Sequence, residues 1–127
     1  MSKYNSRKAV VDGITFDSGR EAARYRELPL LEKANKITDL ALQVKFELLP
    51  AQYEETEAVY IRGAKKGQPK RGKCIEKAVF YIADFVYCDE YGRMIVEDAK
   101  GMRTKDYIIK RKLFRWKFGE EYEFREV

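Results

Sequence analysis

Residues 78–101 read Ala78-Val79-Phe80-Tyr81-Ile82-Ala83-Asp84-Phe85-Val86-Tyr87-Cys88-Asp89-Glu90-Tyr91-Gly92-Arg93-Met94-Ile95-Val96-Glu97-Asp98-Ala99-Lys100-Gly101. The aromatic and β-branched run 78–88 predicts a long strand, and 93–100 predicts a second. Between them Glu90-Tyr91-Gly92 reads as a three-residue hairpin loop, with Gly92 left-handed and Asp89 facing Arg93. Antiparallel register then pairs Cys88 with Met94, Val86 with Val96 and Asp84 with Asp98. Alternation places Phe80, Ile82, Asp84, Val86 and Cys88 on one face, and Val79, Tyr81, Ala83, Phe85 and Tyr87 on the other. Met94, Val96, Asp98 and Lys100 share the Asp84 face.

Asp84 is thus a carboxylate on an otherwise apolar face, which is costly without a partner. Opposite Asp98, the two Cβ atoms would stand about 5 Å apart. Carboxylates that close repel, and one takes up a proton unless a cation intervenes. A divalent cation makes the pair useful: it polarises a phosphoryl oxygen and acidifies a bound water. Lys100 is placed to orient or deprotonate that water, or to neutralise developing charge. A four-residue turn would instead set Glu97 opposite Asp84, but Ala99 would then occupy the lysine's place.

On the N-terminal side, residues 10–16 read as a small hairpin turning at Asp12-Gly13. Ser18 caps a helix that ends near Asn35, and Glu21 completes a capping box. Pro29 predicts a kink or break within it. Residues 43–48 alternate as a strand that stops at Pro50. Residues 62–73 hold six positive charges and three glycines, and read as a mobile loop between strands. On the C-terminal side, 106–118 is helical, with Ile109, Leu113 and Trp116 as its apolar stripe, and 122–124 is a final strand.

Composition removes several chemistries. The 127 residues contain no histidine and two cysteines, so His-dependent catalysis and a four-ligand Cys/His zinc site are excluded. Cys88 reads as a small buried residue. Any metal must be held by oxygen, which indicates Mg²⁺ or Mn²⁺. Lys and Arg outnumber Asp and Glu by 26 to 21, a net charge of +5 that favours a polyanionic partner. The N-terminus is polar and basic, and no stretch approaches the roughly 18 apolar residues of a membrane span. A single soluble, cytoplasmic domain over residues 1–127 with no membrane association is expected.

The pattern of Asp84, a hairpin, and Asp98-Ala99-Lys100-Gly101 resembles the core motif of the PD-(D/E)XK nuclease superfamily. It is most similar to a small phage-encoded branch related to Holliday-junction resolvases. Ile82-Ala83-Asp84-Phe85-Val86 and Val96-Glu97-Asp98-Ala99-Lys100-Gly101 look like its two signatures, and Ser18-Gly19-Arg20-Glu21-Ala22 its first-helix motif. The resemblance spans residues 4–127, with a variable middle at 51–73. Ala83 departs from the motif by standing where its proline would be, a position that shapes the strand and binds no metal. The elements read along the chain give an α/β domain in the order ββ-α-β-β-β-α-β, and the resemblance implies a restriction-endonuclease-like mixed sheet flanked by helices. It further implies Mg²⁺-dependent DNA cleavage in a bacterial host cell and a metal-binding role for Glu21.

The expected site is therefore Asp84, Asp98 and Glu21 on the metal, with Lys100 catalytic. Gln43, at the start of a neighbouring strand, is a candidate support. Arg62, Lys65, Lys66, Lys70, Arg71 and Lys73, with Lys105 and Lys110 of the last helix, are the candidates for contact with duplex or branched DNA. Cutting two strands calls for two such sites, which a homodimer supplies. The alternative is a DNA-binding module that keeps the fold without catalysis.

Overall fold

The computed structural model describes residues 8–100 and 102–127. Gly101 and residues 4–7, which belong to the resemblance above, lie outside them. In chain order the elements are β1 (Ala9–Val11), β2 (Ile14–Phe16), α1 (Gly19–Lys33), β3 (Ile37–Leu49), β4 (Gln52–Tyr53), β5 (Cys74–Glu76), β6 (Val79–Asp89), β7 (Met94–Asp98), α2 (Lys105–Phe118) and β8 (Tyr122–Glu126). Two short strands, β4 and β5, are thus added to the expected order. The chain divides into two compact units: Met1–Phe46 with Tyr81–Val127, and Glu47–Phe80.

In the first unit, Asp12 (φ 51°) and Gly13 (φ 76°) make the β1–β2 turn, with Val11 opposite Ile14. Ser18 caps α1, its hydroxyl accepting from the Glu21 amide at 3.2 Å. The helix runs on through Pro29 instead of breaking there. Proline costs a helix about 3 kcal/mol, and burial of Leu28 with Tyr25 and Leu31 packed around it offsets that cost. Asn35, left-handed at φ 59°, then ends α1 in a Schellman turn, with Lys36 N donating to Leu31 O and Asn35 N to Glu32 O. β3 starts earlier than expected, at Ile37, and passes through two left-handed residues, Asp39 (φ 57°) and Gln43 (φ 52°).

The central sheet has the order β3-β6-β7-β8. β6 and β7 are antiparallel in the expected register, with Cys88 opposite Met94 and Val86 opposite Val96. Gly92 (φ 84°) closes the hairpin, and the Asp89 amide donates to Arg93 O at 2.9 Å. β8 runs parallel to β7, with Phe124 opposite Val96, so the sheet is mixed. α1 contributes Leu28 to a core with Ile37, Phe85, Tyr87 and Ile95. α2 contributes Phe114 to an aromatic core with Phe46 (5.0 Å), Tyr81 (5.4 Å) and Phe124 (5.8 Å between ring centroids).

Two expectations fail in these cores. Ile109 and Trp116, assigned to the buried stripe of α2, are 57% and 80% exposed, while Tyr107 and Phe114 are buried. Both stripes have helical spacing, and the aromatic one has the larger area to remove from water and aromatic partners on the sheet. Tyr81 was placed on the face of Phe85 and Tyr87. It packs instead on Phe114 and Phe124, so the alternation of β6 slips by one residue between 81 and 85.

In the second unit β4 pairs with β5 antiparallel, across a register shift. The chain between them doubles back through a Val59–Pro69 bridge, with Tyr60 N donating to Gln68 O and Lys70 N to Ala58 O. The segment read as a mobile loop is therefore tied into an irregular hairpin arm. The Lys65 and Lys70 ammonium groups lie over the Tyr60 ring (5.8 and 5.5 Å), and the Arg71 guanidinium lies over Tyr53 at 4.3 Å.

Candidate active site

The β6–β7 ladder is regular as far as Phe85–Glu97. One step further Asp84 would face Asp98, and there the chain changes its hydrogen bonding: Asp84 Oδ2 accepts from the Ala99 amide at 2.8 Å. The carboxylate stands in for a backbone acceptor where β7 ends, which fixes Asp84 against the start of Ala99-Lys100. Asp98 is 1% exposed. Its Oδ2 accepts from the Tyr81 hydroxyl at 2.5 Å, while its Oδ1 is buried without a hydrogen-bond partner. The Lys100 ammonium stands 3.3 Å from that oxygen, outside hydrogen-bond geometry, and over the Tyr107 ring at 4.8 Å. The slip in β6 is what delivers Tyr81 to Asp98.

Electrostatics mark the same place. Burial first, and then the neighbouring Asp98 charge, push Asp84 up to about 7, against the pull of the Ala99 amide and Lys100. Burial and Asp17 raise Glu21, with Asp98 adding to the effect. The Tyr81 phenol is raised by burial and by Asp98, so it stays a proton donor to that carboxylate.

Glu21 had two readings, cap or metal ligand. The Ser18 hydroxyl accepts from the Glu21 backbone amide, while the Glu21 carboxylate takes a hydrogen bond from the Asp17 backbone beside the cap. The Glu21 carboxylate accepts from Gln43 Nε2 at 2.6 Å. Gln43 reaches it from a left-handed position inside β3, a conformation that costs a non-glycine residue about 1 kcal/mol or more and gathers at functional sites. Glu21, Gln43, Asp84, Asp98 and Lys100 thus belong to one acidic centre in the first unit. Lys110 shares a cavity of about 260 Å³ with Asp98 and Lys100. Lys105 is exposed at the start of α2. Arg62, Lys65, Lys66, Lys70, Arg71 and Lys73 lie on the arm of the second unit.

Glu97, the rival of Asp98, has a different role. It is fully buried on the α1 side, where Arg24 Nε and Nη2 grip its two oxygens at 2.7 Å each and the Tyr87 hydroxyl donates as well. Sequence reasoning missed Arg24 as its partner, and missed Tyr81 and Tyr107 at the acidic centre. A diagonal count across the hairpin places Tyr87 beside Glu97, so that contact was legible. The slip that carries Tyr81 was not.

The donors present fit a hard divalent cation. All are oxygens, and the open Oδ1 of Asp98 beside the proton-retaining Asp84 is what a cation would relieve. Among the described residues no three or more Asp, Glu, His or Cys side chains are grouped so as to hold a metal ion. Mg²⁺ needs less than that, since it keeps water and substrate oxygens and takes one or two carboxylates.

A family described as a protein of unknown function, DUF1064, matches residues 1–126. The chain belongs to that family. No curated protein and no solved structure matches the chain. Among the described residues no helix is long and apolar enough to cross a membrane.

Proposed function

We propose that this chain is a Mg²⁺-dependent endonuclease that hydrolyses phosphodiester bonds in duplex or branched DNA. The observation that carries the reading is Oδ1 of Asp98, buried without a hydrogen bond and ion-paired with Lys100 at 3.3 Å, with Asp84 as its repelling neighbour. A buried charge left short of partners is expensive, and a binding centre retains one because its ligand completes it. The expected restriction-endonuclease-like core is supported by a mixed sheet that presents Asp84 on one strand and Asp98-Ala99-Lys100 from the next.

Asp84 and Asp98 would hold the cation, with Glu21 assisting and Gln43 holding Glu21 in place. Mg²⁺, replaceable by Mn²⁺, supplies Lewis-acid polarisation and a more acidic water when bound. Lys100 orients the attacking water and balances charge developing on the phosphoryl oxygens. Tyr81 fixes Asp98 by donating to Oδ2, which keeps Oδ1 directed to the ligand. Arg62, Lys65, Lys66, Lys70, Arg71 and Lys73, with Lys105 and Lys110, supply sequence-independent contacts to backbone phosphates. A homodimer would bring two such centres to the two strands of a duplex or junction.

The test is cleavage of supercoiled plasmid and of a four-way junction in Mg²⁺, Mn²⁺ or EDTA, comparing the native chain with Asp98→Ala. Metal-dependent cutting that disappears in the variant is expected. Salt-sensitive binding with no cutting in either metal would replace this reading with a DNA-binding module.

A further inference from the structure

The central sheet ends in two edge strands, β3 and β8. An edge offers its amides and carbonyls to another strand unless something interrupts it. β3 is interrupted: Asp39 and Gln43 are left-handed within it, at φ 57° and 52°. β8 is regular. Its five residues, Tyr122–Glu126, keep step with β7 throughout and include neither proline nor glycine. The Val127 amide donates to Asp98 O at 3.0 Å. By alternation Glu123 and Arg125 also bond toward β7, and the amides and carbonyls of Tyr122, Phe124 and Glu126 face away from the sheet. Among the described residues no strand pairs with that side.

The side chains of this strand favour one occupant. Antiparallel pairing with a second β8, centred on Phe124, sets Phe124 opposite Phe124 and Tyr122 opposite Glu126, so outward backbone groups meet outward groups. The same register sets Glu123 opposite Arg125, once on each side of the two-fold axis. Sliding it to the next hydrogen-bonded register in either direction sets Arg125 on Arg125 or Glu123 on Glu123. Like charges directly opposite are unfavourable, so one register is selected. In the single chain both side chains are half-exposed, and Arg125 folds back onto Glu123, which Arg93 also reaches at 3.4 Å. Residues opposite each other in paired strands stand closer than residues two apart on one strand.

We infer that β8 is the surface through which two copies of this chain associate, as an antiparallel β8–β8 pair centred on Phe124 and held in register by reciprocal Glu123–Arg125 contacts. The two central sheets then join into one. Because β7 lies next to β8, Asp98 of each copy falls on the same face of the joined sheet. Three strand spacings and four residues of rise put the two about 20 Å apart. The pairing itself needs no catalysis, and only its use on two DNA strands rests on the nuclease reading. A pair five residues long favours micromolar association over an obligate dimer.

The test is sedimentation equilibrium of the full chain without DNA, from micromolar to near-millimolar concentration. The native chain, Arg125→Glu, Glu123→Arg and the double exchange are compared. Native self-association is expected, weakened about tenfold or more in each single variant, where like charges meet across the axis. The double exchange should restore it. Mixing the two single variants should restore it as well, since one then presents two cations and the other two anions at the facing positions. A native chain that stays monomeric throughout would overturn the pairing. So would a dimer indifferent to both reversals, or folded single variants that fail to associate when mixed. A native dimer that cuts no DNA would keep the pairing and remove the nuclease, whereas a cutting monomer would do the reverse.

Discussion

Glu97 and Asp98 are consecutive, both acidic and both buried, yet one is saturated and the other open. Glu97 points toward α1, where a guanidinium fork and a phenol occupy its oxygens. Asp98 points toward α2, where one oxygen takes the Tyr81 proton and the other has an ammonium 3.3 Å away but no hydrogen bond. Burial alone therefore does not distinguish a saturated acid from an open one. What distinguishes them is whether the fold completes the group or leaves its completion to something that binds.

The largest expected contrast is in activity. Asp98→Ala should reduce cleavage about a thousandfold or more, since metal-supplied charge stabilisation is worth several kcal/mol, while urea unfolding shows stability unchanged or raised. A large loss of stability in that variant would erase the distinction from Glu97. Next, Arg24→Ala should destabilise the fold by about 3–5 kcal/mol, because it leaves the Glu97 charge buried and unpaired. Replacing Arg24 and Glu97 together by leucine should recover most of that loss in the same unfolding assay.

The third contrast is with pH. Asp84 is raised from 3.8 to about 7 by burial and by Asp98, so between those values the folded chain binds more protons than the unfolded one. The Asp84 contribution to the stability of the metal-free protein should thus be fully present below pH 4, fall as pH rises toward 7, and level off above it. Scanning calorimetry across that range, repeated on Asp84→Asn, reads the trend; a variant that keeps the same slope would assign it to other groups. The smallest effect is Tyr87→Phe. It removes one of three donors to Glu97 and should cost about 1 kcal/mol in urea unfolding, with metal-dependent cutting intact.

The legible part of the molecule was local. Asp12-Gly13 and Gly92 specified their turns, Ser18 its cap, and the β6–β7 register followed from one loop length, because a hairpin's turn fixes which residues face each other. That register brought Asp84, Asp98 and Lys100 to the expected neighbourhood. Ile109 and Trp116 were misread because α2 carries two apolar stripes, and spacing cannot say which one the sheet covers.

The sequence by itself determined the hairpins, the helix ends and the acid–acid–lysine set, since each depends on residues a few positions apart whose backbone preferences are intrinsic. Tertiary structure alone decided that Arg24 would satisfy Glu97, that Gln43 would turn left-handed to meet Glu21, and that β6 would slip to bring Tyr81 to Asp98. Those contacts join residues 17 to 73 positions apart. They arise when packing selects one placement of side chains that local preference leaves free, and that selection is what leaves one oxygen of Asp98 open.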